Sequence, residues 1–280
     1  MNGKDNSYCY PSTNVLKNKL DIRDSETLSA AERELTSVQE FMLRVKPLKG
    51  DFDYKHLQDI HKKLFGEIYT WAGKLRTVNI GKGNTFCYVA NLQEYGNEIF
   101  SRVKKDRYLV GLNREQAIKK LSECLGDINA LHPYRDGNGR SQRQFIGYLA
   151  KATGIELAFD RTNADEMLEA SKKSFLCDCS LYQRILNDIA VPMTLAEQHG
   201  FLKSTSKAAL KIFEDMRDTN DLPDRTEEFN KKPLADNDHQ QNDYKTLDGW
   251  KKDIAELHGK GDASGNETKI NTEIEMNKDK

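Results

Sequence analysis

The residues best suited to chemistry lie together in one short segment, residues 132–143, with the sequence His-Pro-Tyr-Arg-Asp-Gly-Asn-Gly-Arg-Ser-Gln-Arg. Its two glycines precede a predicted helix, so backbone N–H groups and the positive end of the helix dipole can converge on an anion. Arg140 and Arg143 lie one turn apart on that helix, and Arg135 brings a third cation close by. Together they predict a polyphosphate site rather than a site for a monoanion.

Two further residues of the segment indicate what is done to the phosphates. Asp136 would be repelled by them unless a divalent cation lay between, and Mg²⁺ takes one or two carboxylates together with phosphate oxygens. His132 is the nearby group that titrates around neutral pH, which makes it the natural proton acceptor. An anion cradle, a metal carboxylate, clamping arginines and a general base predict phosphoryl or nucleotidyl transfer.

A purely structural interpretation of the segment is a corner between two helices. In that case the glycines would only make the turn, the arginines would pair with Asp136, and His132 would cap the end of a helix. Each residue taken alone fits such a corner. The coincidence of so many polar roles in one loop favours the phosphate site.

Amphipathic helices are expected to position the segment. The helix before it should end at His132, because the residue before a proline is pushed out of the α region. The helix after it should begin near residues 138–140 and end at Thr153-Gly154. The apolar positions that predict these two helices and two earlier ones are Ala117, Ile118, Leu121, Leu125, Ile128 and Leu131; Phe145, Ile146, Leu149 and Ala150; Ala31, Leu35, Val38 and Met42; and Tyr54, Leu57, Ile60 and Leu64, before a stop at Phe65-Gly66. Another helix should open at Asn163, and one more should lie within residues 201–216.

One segment lacks the helical periodicity of its neighbours. Residues 76–80 alternate, residues 81–84 have turn chemistry, and residues 85–89 are rich in β-formers, which predicts a hairpin. Two strands alone are marginal in water. This hairpin should therefore pack on the helices or offer an edge to something else.

The composition of the chain argues against some classes of function. Of 280 residues, 31% are charged and 37% hydrophobic, and the formal net charge is −1. Nucleic-acid and membrane binding both need concentrated positive charge, so we expect neither partner. No apolar run approaches the roughly 20 residues of a membrane span, and the first residues are too polar for a signal peptide. Five scattered cysteines without a CxxC pair favour reduced thiols in the cytoplasm.

Three regions are predicted along the chain: residues 1–194 as one domain with an N-terminal extension, residues 195–218 as a C-terminal helical extension, and residues 219–280 as a charged tail. Large apolar residues are few in the tail, which is typical of disorder. Trp250, Ile254 and Leu257 would suit one short amphipathic helix there. A docking segment for a partner and a linker to a further domain are the alternatives.

Residues 132–143 resemble the signature of Fic-domain proteins, His-Pro-Phe-x-(Asp/Glu)-Gly-Asn-Gly-Arg-x-x-Arg, with Tyr134 in place of the usual phenylalanine. Tyrosine keeps the aromatic anchor and adds a hydroxyl. The similarity extends to Tyr10–Asn18, Ile60–Phe65, Trp71–Arg76 and the hairpin, so it covers about residues 8–192. The resemblance implies a mainly α Fic-fold helical bundle with a small β-hairpin flap over the active site.

The resemblance also implies a protein adenylyltransferase, which transfers AMP from ATP to a target protein and releases pyrophosphate. His132 would deprotonate a Tyr, Thr or Ser hydroxyl of the target, and Asp136 would hold Mg²⁺ between the α- and β-phosphates. The glycine and asparagine N–H groups would form the anion hole, the asparagine side chain would aid the α-phosphate, and the two arginines would bind the β- and γ-phosphates. The implied nucleotide-binding residues are Asp136, Gly137, Asn138, Gly139, Arg140 and Arg143.

The hairpin resembles the flap with which Fic proteins hold the target segment by strand addition beside the α-phosphate. The implied docking residues are Val78, Asn79, Ile80, Gly81, Thr85, Phe86, Cys87 and Tyr88.

Many Fic proteins are restrained by a helix with the sequence (Ser/Thr)-x-x-x-Glu-(Gly/Asn), whose glutamate pairs with the second motif arginine. Neither Thr36–Glu40, followed by Phe41, nor Thr162–Glu166, followed by Met167, completes this pattern. We therefore expect both glutamates to be ordinary helical residues and a separate small antitoxin-like protein to supply the inhibitory helix. The chain would act in its own cytoplasm or after delivery into a host cell. The alternative function is a non-catalytic or differently specific phosphate- or nucleotide-binding module that uses the same loop.

Overall fold

In a computed structural model of the chain, residues 8–82, 84–224 and 228–229 are described. Nine α-helices have their bounds within these ranges: α1 (Ser25–Val45), α2 (Tyr54–Phe65), α3 (Leu92–Lys105), α4 (Arg114–Leu131), α5 (Asn138–Ala152), α6 (Ala164–Ser174), α7 (Ser180–Asp188), α8 (Leu195–Thr205) and α9 (Lys207–Asp218). Two short antiparallel pairs accompany them, β1 (Gly81–Lys82) with β2 (Asn84–Thr85) and β3 (Ile155–Leu157) with β4 (Ala190–Pro192). The predicted mainly α fold is confirmed.

Helix α5 lies at the centre and packs against both α2 and α4. All the apolar positions predicted for these three helices are buried. Each fully buried Leu, Ile or Phe contributes about 1.5–3 kcal/mol, so this three-helix core holds both ends of the His132–Arg143 segment in place. The predicted ends of the three helices are confirmed at Phe65, Leu131 and Ala152.

The predicted apolar face of α1 is only partly right. Ala31 and Leu35 are half-buried, whereas Val38 and Met42 are 53% and 45% exposed. The buried side of α1 includes Thr36, whose hydroxyl faces Arg140 of α5, and this polar contact turns the apolar positions outward. The exposed apolar residues form a row that we call the α1 stripe: Val38, Phe41, Met42 and Val45.

The predicted hairpin exists, but its strands are much shorter than expected. β1 and β2 have two residues each, and residues 89–91 form a 3-10 helix instead of continuing a strand. The backbone groups of the predicted arms bond elsewhere, because Arg76 N–H donates to the Pro133 carbonyl (2.9 Å) and Cys87 N–H to the Ala130 carbonyl (3.0 Å). The hairpin is therefore attached to the loop after α4 rather than paired along its own length.

The chain after residue 192 also differs from the expectation of a single helix. Ser206 is extended and separates α8 from α9, and its side-chain oxygen caps α9 by accepting from Ala209 N–H (3.2 Å). The helix predicted to open at Asn163 is confirmed, because Asn163 caps α6.

The predicted domain boundaries stay predictions. Most of the predicted tail, including Trp250, Ile254 and Leu257, lies outside the described residues. Among the residues that are described, no helix combines the length and the hydropathy needed to cross a bilayer.

Candidate active site

His132 lies where α4 ends. It has a left-handed backbone (φ 44, ψ 61), and its N–H donates to the Ile128 carbonyl (3.0 Å), which closes the last turn. Its ring Nδ1 lies 3.3 Å from the Asn129 carbonyl oxygen. Because a carbonyl can only accept, Nδ1 carries a proton, so in the neutral ring Nε2 has the lone pair. The half-buried ring stacks on Phe86 of the hairpin, with centroids 3.7 Å apart. In its neutral form the predicted base thus has Nε2 as its proton-accepting atom.

The start of α5 is arranged to receive an anion. Gly137 precedes the helix with φ 78, and no side chain caps the N-terminus. A Cβ on Gly137 would lie 2.4 Å from the Phe65 ring, so only glycine fits here. The N–H groups of Asn138, Gly139 and Arg140 have no carbonyl one turn earlier to accept them. These donors and the helix dipole support the predicted anion hole.

The Asn138 side chain holds the loop together. Its Oδ1 accepts from Tyr134 N–H (2.9 Å) and its Nδ2 donates to the Tyr134 carbonyl (2.8 Å), and the residue is buried. The amide therefore holds the loop with its oxygen and one of its two N–H donors. The predicted contact of this side chain with the α-phosphate stays a prediction.

Asp136 has the exposure and charge that a metal ligand needs. Its Oδ1 accepts from Gly137 N–H (2.6 Å), and its carboxylate points to solvent at the start of α5. Within the described part of the chain, no cluster of three or more His, Cys, Asp or Glu could hold a metal ion. One carboxylate together with phosphate oxygens is the ligand set that Mg²⁺ accepts, so Asp136 fits Mg²⁺ bound with a nucleotide rather than in a protein cage.

The two motif arginines differ in their surroundings. Arg140 pairs with Glu32 of α1, donates to Thr36 Oγ1 (3.1 Å), and lies 4.6 Å from the Phe65 ring centroid. Its partner is therefore Glu32 and not Asp136, contrary to the purely structural corner. Arg143 is half-buried and makes no hydrogen bond or ion pair with any described residue. Burial lowers the pKa of Arg143.

Both arginines line one pocket of about 420 Å³ between α1 and α5. The residues lining it are Ser29, Glu32, Arg33, Thr36, Ser37, Glu40, Arg140 and Arg143. Glu40, predicted to be an ordinary helical residue, thus faces the same pocket as Arg143. Glu166, the other candidate, is a half-buried residue paired with Arg184. Arg135 lies 5.9 Å from the Tyr8 ring centroid and does not line the pocket.

His61 of α2 also holds the loop. Its Nδ1 accepts from Gly73 N–H (2.9 Å), so its Nε2–H donates to the Asp136 carbonyl (2.9 Å). The ring is fully buried and stacks on Tyr134 at 3.7 Å. Burial lowers the pKa of His61 to about 3, so it is neutral at physiological pH. The available signal was its place on α2, next to Ile60 and one turn from Leu57 and Leu64.

The structure places the predicted flap residues in two groups. Phe86 and Cys87 lie against the loop: Phe86 is buried on the His132 ring, and Cys87 N–H bonds to the end of α4. The others form the hairpin and its arms: Val78, Asn79 (Oδ1 accepts from Val89 N–H), Ile80 (carbonyl accepts from Phe86 N–H), Gly81 paired with Thr85, and the exposed Tyr88.

This chain is similar to several known proteins. Residues 51–150 match the Fic/DOC family. The chain is 35% identical over 185 residues to the protein adenylyltransferase VbhT of Bartonella schoenbuchensis, which covers 66% of this chain and 39% of VbhT. It is 32% identical over 183 residues to the "probable protein adenylyltransferase Fic" of Escherichia coli, which covers 65% of this chain and 90% of that relative. The chain thus spans well under half of VbhT and nearly all of the Escherichia coli relative.

A solved structure shares the fold. The N-terminal Fic domain of a VirB-translocated Bep effector protein from Bartonella quintana, solved with bound ADP, aligns with a TM-score of 0.64 and 26% identity over 68% of this chain and 96% of that chain. Three observations agree. The fold is mainly α, the signature from His132 to Arg143 is present with Tyr134 in place of phenylalanine, and the alignment covers 90% of the Escherichia coli relative. The chain belongs to the Fic/DOC family.

Proposed function

We propose that this chain is a Mg²⁺-dependent protein adenylyltransferase. The observation that carries the proposal is the geometry of one loop, in which the unprotonated Nε2 of His132 and the uncapped N-terminus of α5 flank residues 133–137. The relatives named as protein adenylyltransferases support the same activity. The substrates are ATP and a hydroxyl-bearing side chain, Tyr, Thr or Ser, of a target protein.

The reaction follows from the positions of these groups. The target hydroxyl gives its proton to His132 Nε2 while its oxygen bonds to the α-phosphorus of ATP. The bond from that phosphorus to the oxygen bridging to the β-phosphate breaks, and pyrophosphate leaves. Free N–H groups at the start of α5 bind the charge that develops on the α-phosphate oxygens. Mg²⁺, held by Asp136, would neutralise charge on the α- and β-phosphates.

The arginines are suited to the β- and γ-phosphates. Arg143 has no partner among the described residues and lines an open pocket, so its guanidinium is available to a phosphate. Arg140 already pairs with Glu32 and donates to the Thr36 hydroxyl, and these two contacts fix its orientation. We therefore propose that Arg143 supplies more of the attraction for the terminal phosphates than Arg140 does.

The experiment is incorporation of label from α-labelled ATP into proteins of a bacterial lysate. We expect His132→Ala to lower incorporation by about 10²–10⁴, because it removes a general base, while leaving ATP affinity nearly unchanged. Arg143→Ala should instead weaken ATP binding in a direct titration. His199→Ala is the matched control, since His199 lies on α8 and pairs with Glu214.

Incorporation by His132→Ala at a near wild-type rate would contradict the assigned base. Wild-type protein that binds ATP but labels nothing, with or without Mg²⁺, would favour the binding module instead. Labelling from another nucleotide and not from ATP would point to a differently specific transferase.

We further propose that the hairpin aligns the target by strand addition. β1 and β2 pair for only two residues each, which leaves backbone groups near the hairpin tip for an incoming segment. The stacking of Phe86 on His132 supports this placement, because it sets the hairpin beside the base.

We propose that a separate small protein restrains the enzyme by supplying an inhibitory helix. The α1 stripe is an exposed apolar row on the helix that also contributes Glu40 to the arginine pocket, and Arg143 there has no partner among the described residues. An amphipathic helix with a carboxylate suits both features. Expression of the wild-type chain alone should slow bacterial growth, and His132→Ala should not. Normal growth with the wild-type chain would count against this partner.

The compartment we propose is a reducing cytoplasm, either of the producing cell or of a cell that receives the protein. All five cysteines are free thiols, which supports a reducing environment. The Bartonella quintana relative is described as a translocated effector, which supports the second route. Fractionation of producing cells tests the proposal, and recovery only from the oxidising cell exterior would contradict it.

A further inference from the structure

Arg76 is a charged residue that the core almost completely encloses. Its exposed fraction is 1%, and it is the largest of the fully buried side chains in the described part of the chain. None of the ion pairs formed among the described residues includes Arg76. Taking a guanidinium out of water without a carboxylate is costly, so its N–H groups must find strong acceptors.

All the acceptors that the structure gives Arg76 are backbone carbonyls from two parts of the chain. Nε donates to the His132 carbonyl (2.9 Å), NH1 to the Val78 carbonyl (2.9 Å), and NH2 to the Cys87 carbonyl. The Arg76 backbone N–H adds a bond to the Pro133 carbonyl (2.9 Å). One planar fork therefore joins both arms of the hairpin to the residue that carries the base.

Two further contacts connect the same parts. Phe86 stacks on the His132 ring at 3.7 Å, and Cys87 N–H donates to the Ala130 carbonyl at 3.0 Å. Since β1 and β2 have only two residues each, the hairpin has little internal pairing to fix its position. The bonds of Arg76 supply what the short strands lack.

We propose that Arg76 is a positioning residue that holds the flap and the backbone of His132 in one fixed arrangement, so that a segment aligned by the flap presents its hydroxyl to Nε2. The inference deepens the adenylyltransferase function proposed above and rests on it for the catalytic consequence. Lysine cannot replace Arg76, because a single ammonium cannot reach three diverging carbonyls in the plane of a guanidinium.

The test compares Arg76→Lys with Arg102→Lys. Arg102 is a partly buried arginine on α3 that pairs with Asp127, so it controls for shortening a partly buried guanidinium. We expect Arg76→Lys to bind ATP within about threefold of wild type, while label incorporation falls by at least about tenfold, because the lost bonds loosen the flap and not the phosphate site. Arg102→Lys should lose less than about threefold in either assay.

Hydrogen exchange gives a readout that does not depend on activity. In Arg76→Lys, amides of residues 76–82, 84–89 and 130–132 should exchange at least about tenfold faster than in wild type, with α5 unchanged. In the wild-type protein, the Arg76 and Cys87 amides should be protected as well as those in the last turn of α4. This second measurement decides the question even if the variant does not fold.

The proposal is overturned if those wild-type amides exchange at the rate of an exposed loop. It is also overturned if ATP binding falls in proportion to incorporation, because Arg76 would then act on the phosphate site. Equal losses in Arg76→Lys and Arg102→Lys would assign Arg76 a generic packing role. A wild-type chain that labels no protein rejects the proposed function, and the exchange measurements still decide whether Arg76 fixes the flap.

Discussion

Replacing Gly137 with alanine tests how the start of α5 is built. At φ 78 an alanine backbone is strained by about 1–2 kcal/mol, and its Cβ would lie 2.4 Å from the Phe65 ring, an overpacking that typically costs about 1–3 kcal/mol. The reduced freedom of the unfolded chain returns about 0.4–1 kcal/mol. The net loss is therefore about 3 kcal/mol of the free energy of unfolding.

The assay is thermal and urea unfolding of Gly137→Ala beside Gly139→Ala. A loss of about 3 kcal/mol lowers the Tm of a domain of this size by roughly 6–12 °C. Gly139→Ala is the matched control, because its Cβ meets only the flexible end of Arg143, at 3.4 Å, inside a helix that favours alanine over glycine by about 1 kcal/mol. It should keep or slightly raise the Tm.

A double variant separates strain from overpacking. Phe65→Leu removes the ring atoms that a Cβ on Gly137 would meet, so it should cost less in the Gly137→Ala background than alone, by about 1 kcal/mol or more. Additive costs would mean that the ring moves aside freely. A Gly137→Ala protein that melts within about 1 °C of wild type would refute the assigned packing altogether.

Two further predictions concern the aromatic stack beneath the loop. The buried Tyr134 hydroxyl has no hydrogen-bond partner within the described residues. Tyr134→Phe should therefore raise the free energy of unfolding by about 1 kcal/mol in urea titrations and leave AMP transfer intact. A decrease of similar size in the free energy of unfolding would show that the hydroxyl has a partner. The pKa of His61 is about 3 in the folded protein and about 6.5 when unfolded, so the unfolded state binds the extra proton and stability falls as the pH drops from about 6.5 toward 3. His61→Gln should be less stable than wild type at pH 7 but should lose less of its free energy of unfolding on acidification. Burial also lowers the pKa of His56, so His56 should account for part of the remaining pH dependence of stability. The same pH dependence in the variant and the wild type would contradict the assignment.

Local signals were enough to predict the loop and the helices around it. Pro133 and Gly137 mark where α4 stops and α5 starts, and the apolar spacing of α2, α4 and α5 identified the core. The same reasoning failed where a residue's role depends on a distant partner. Glu32 and Arg140 are 108 positions apart, and neither residue's local sequence indicates the pairing.

The hairpin and α1 show the same limit. The β-rich residues 85–89 were expected to be a strand, but the Cys87 carbonyl accepts from Arg76 and the Cys87 N–H donates to the end of α4. Local propensity does not indicate either bond. On α1, spacing alone could not tell an inward apolar row from an outward one, because the polar Thr36 faces the site. His61 lies among core residues on α2, which indicates burial but not that its Nε2–H donates to the Asp136 carbonyl.

The reversal between α4 and α5 has an electrostatic consequence. Residues 132–137 bring the carboxyl-terminal end of one helix next to the amino-terminal end of another. During the proposed transfer the imidazole becomes positive beside the carbonyl-rich end of α4, while negative charge builds on the phosphate oxygens at the N–H-rich end of α5. Each helix end is worth about 0.3–1 kcal/mol to a nearby charge of the right sign. The backbone of this turn thus favours the positive imidazole and the added negative charge of the transition state over the starting groups, before any side chain contributes.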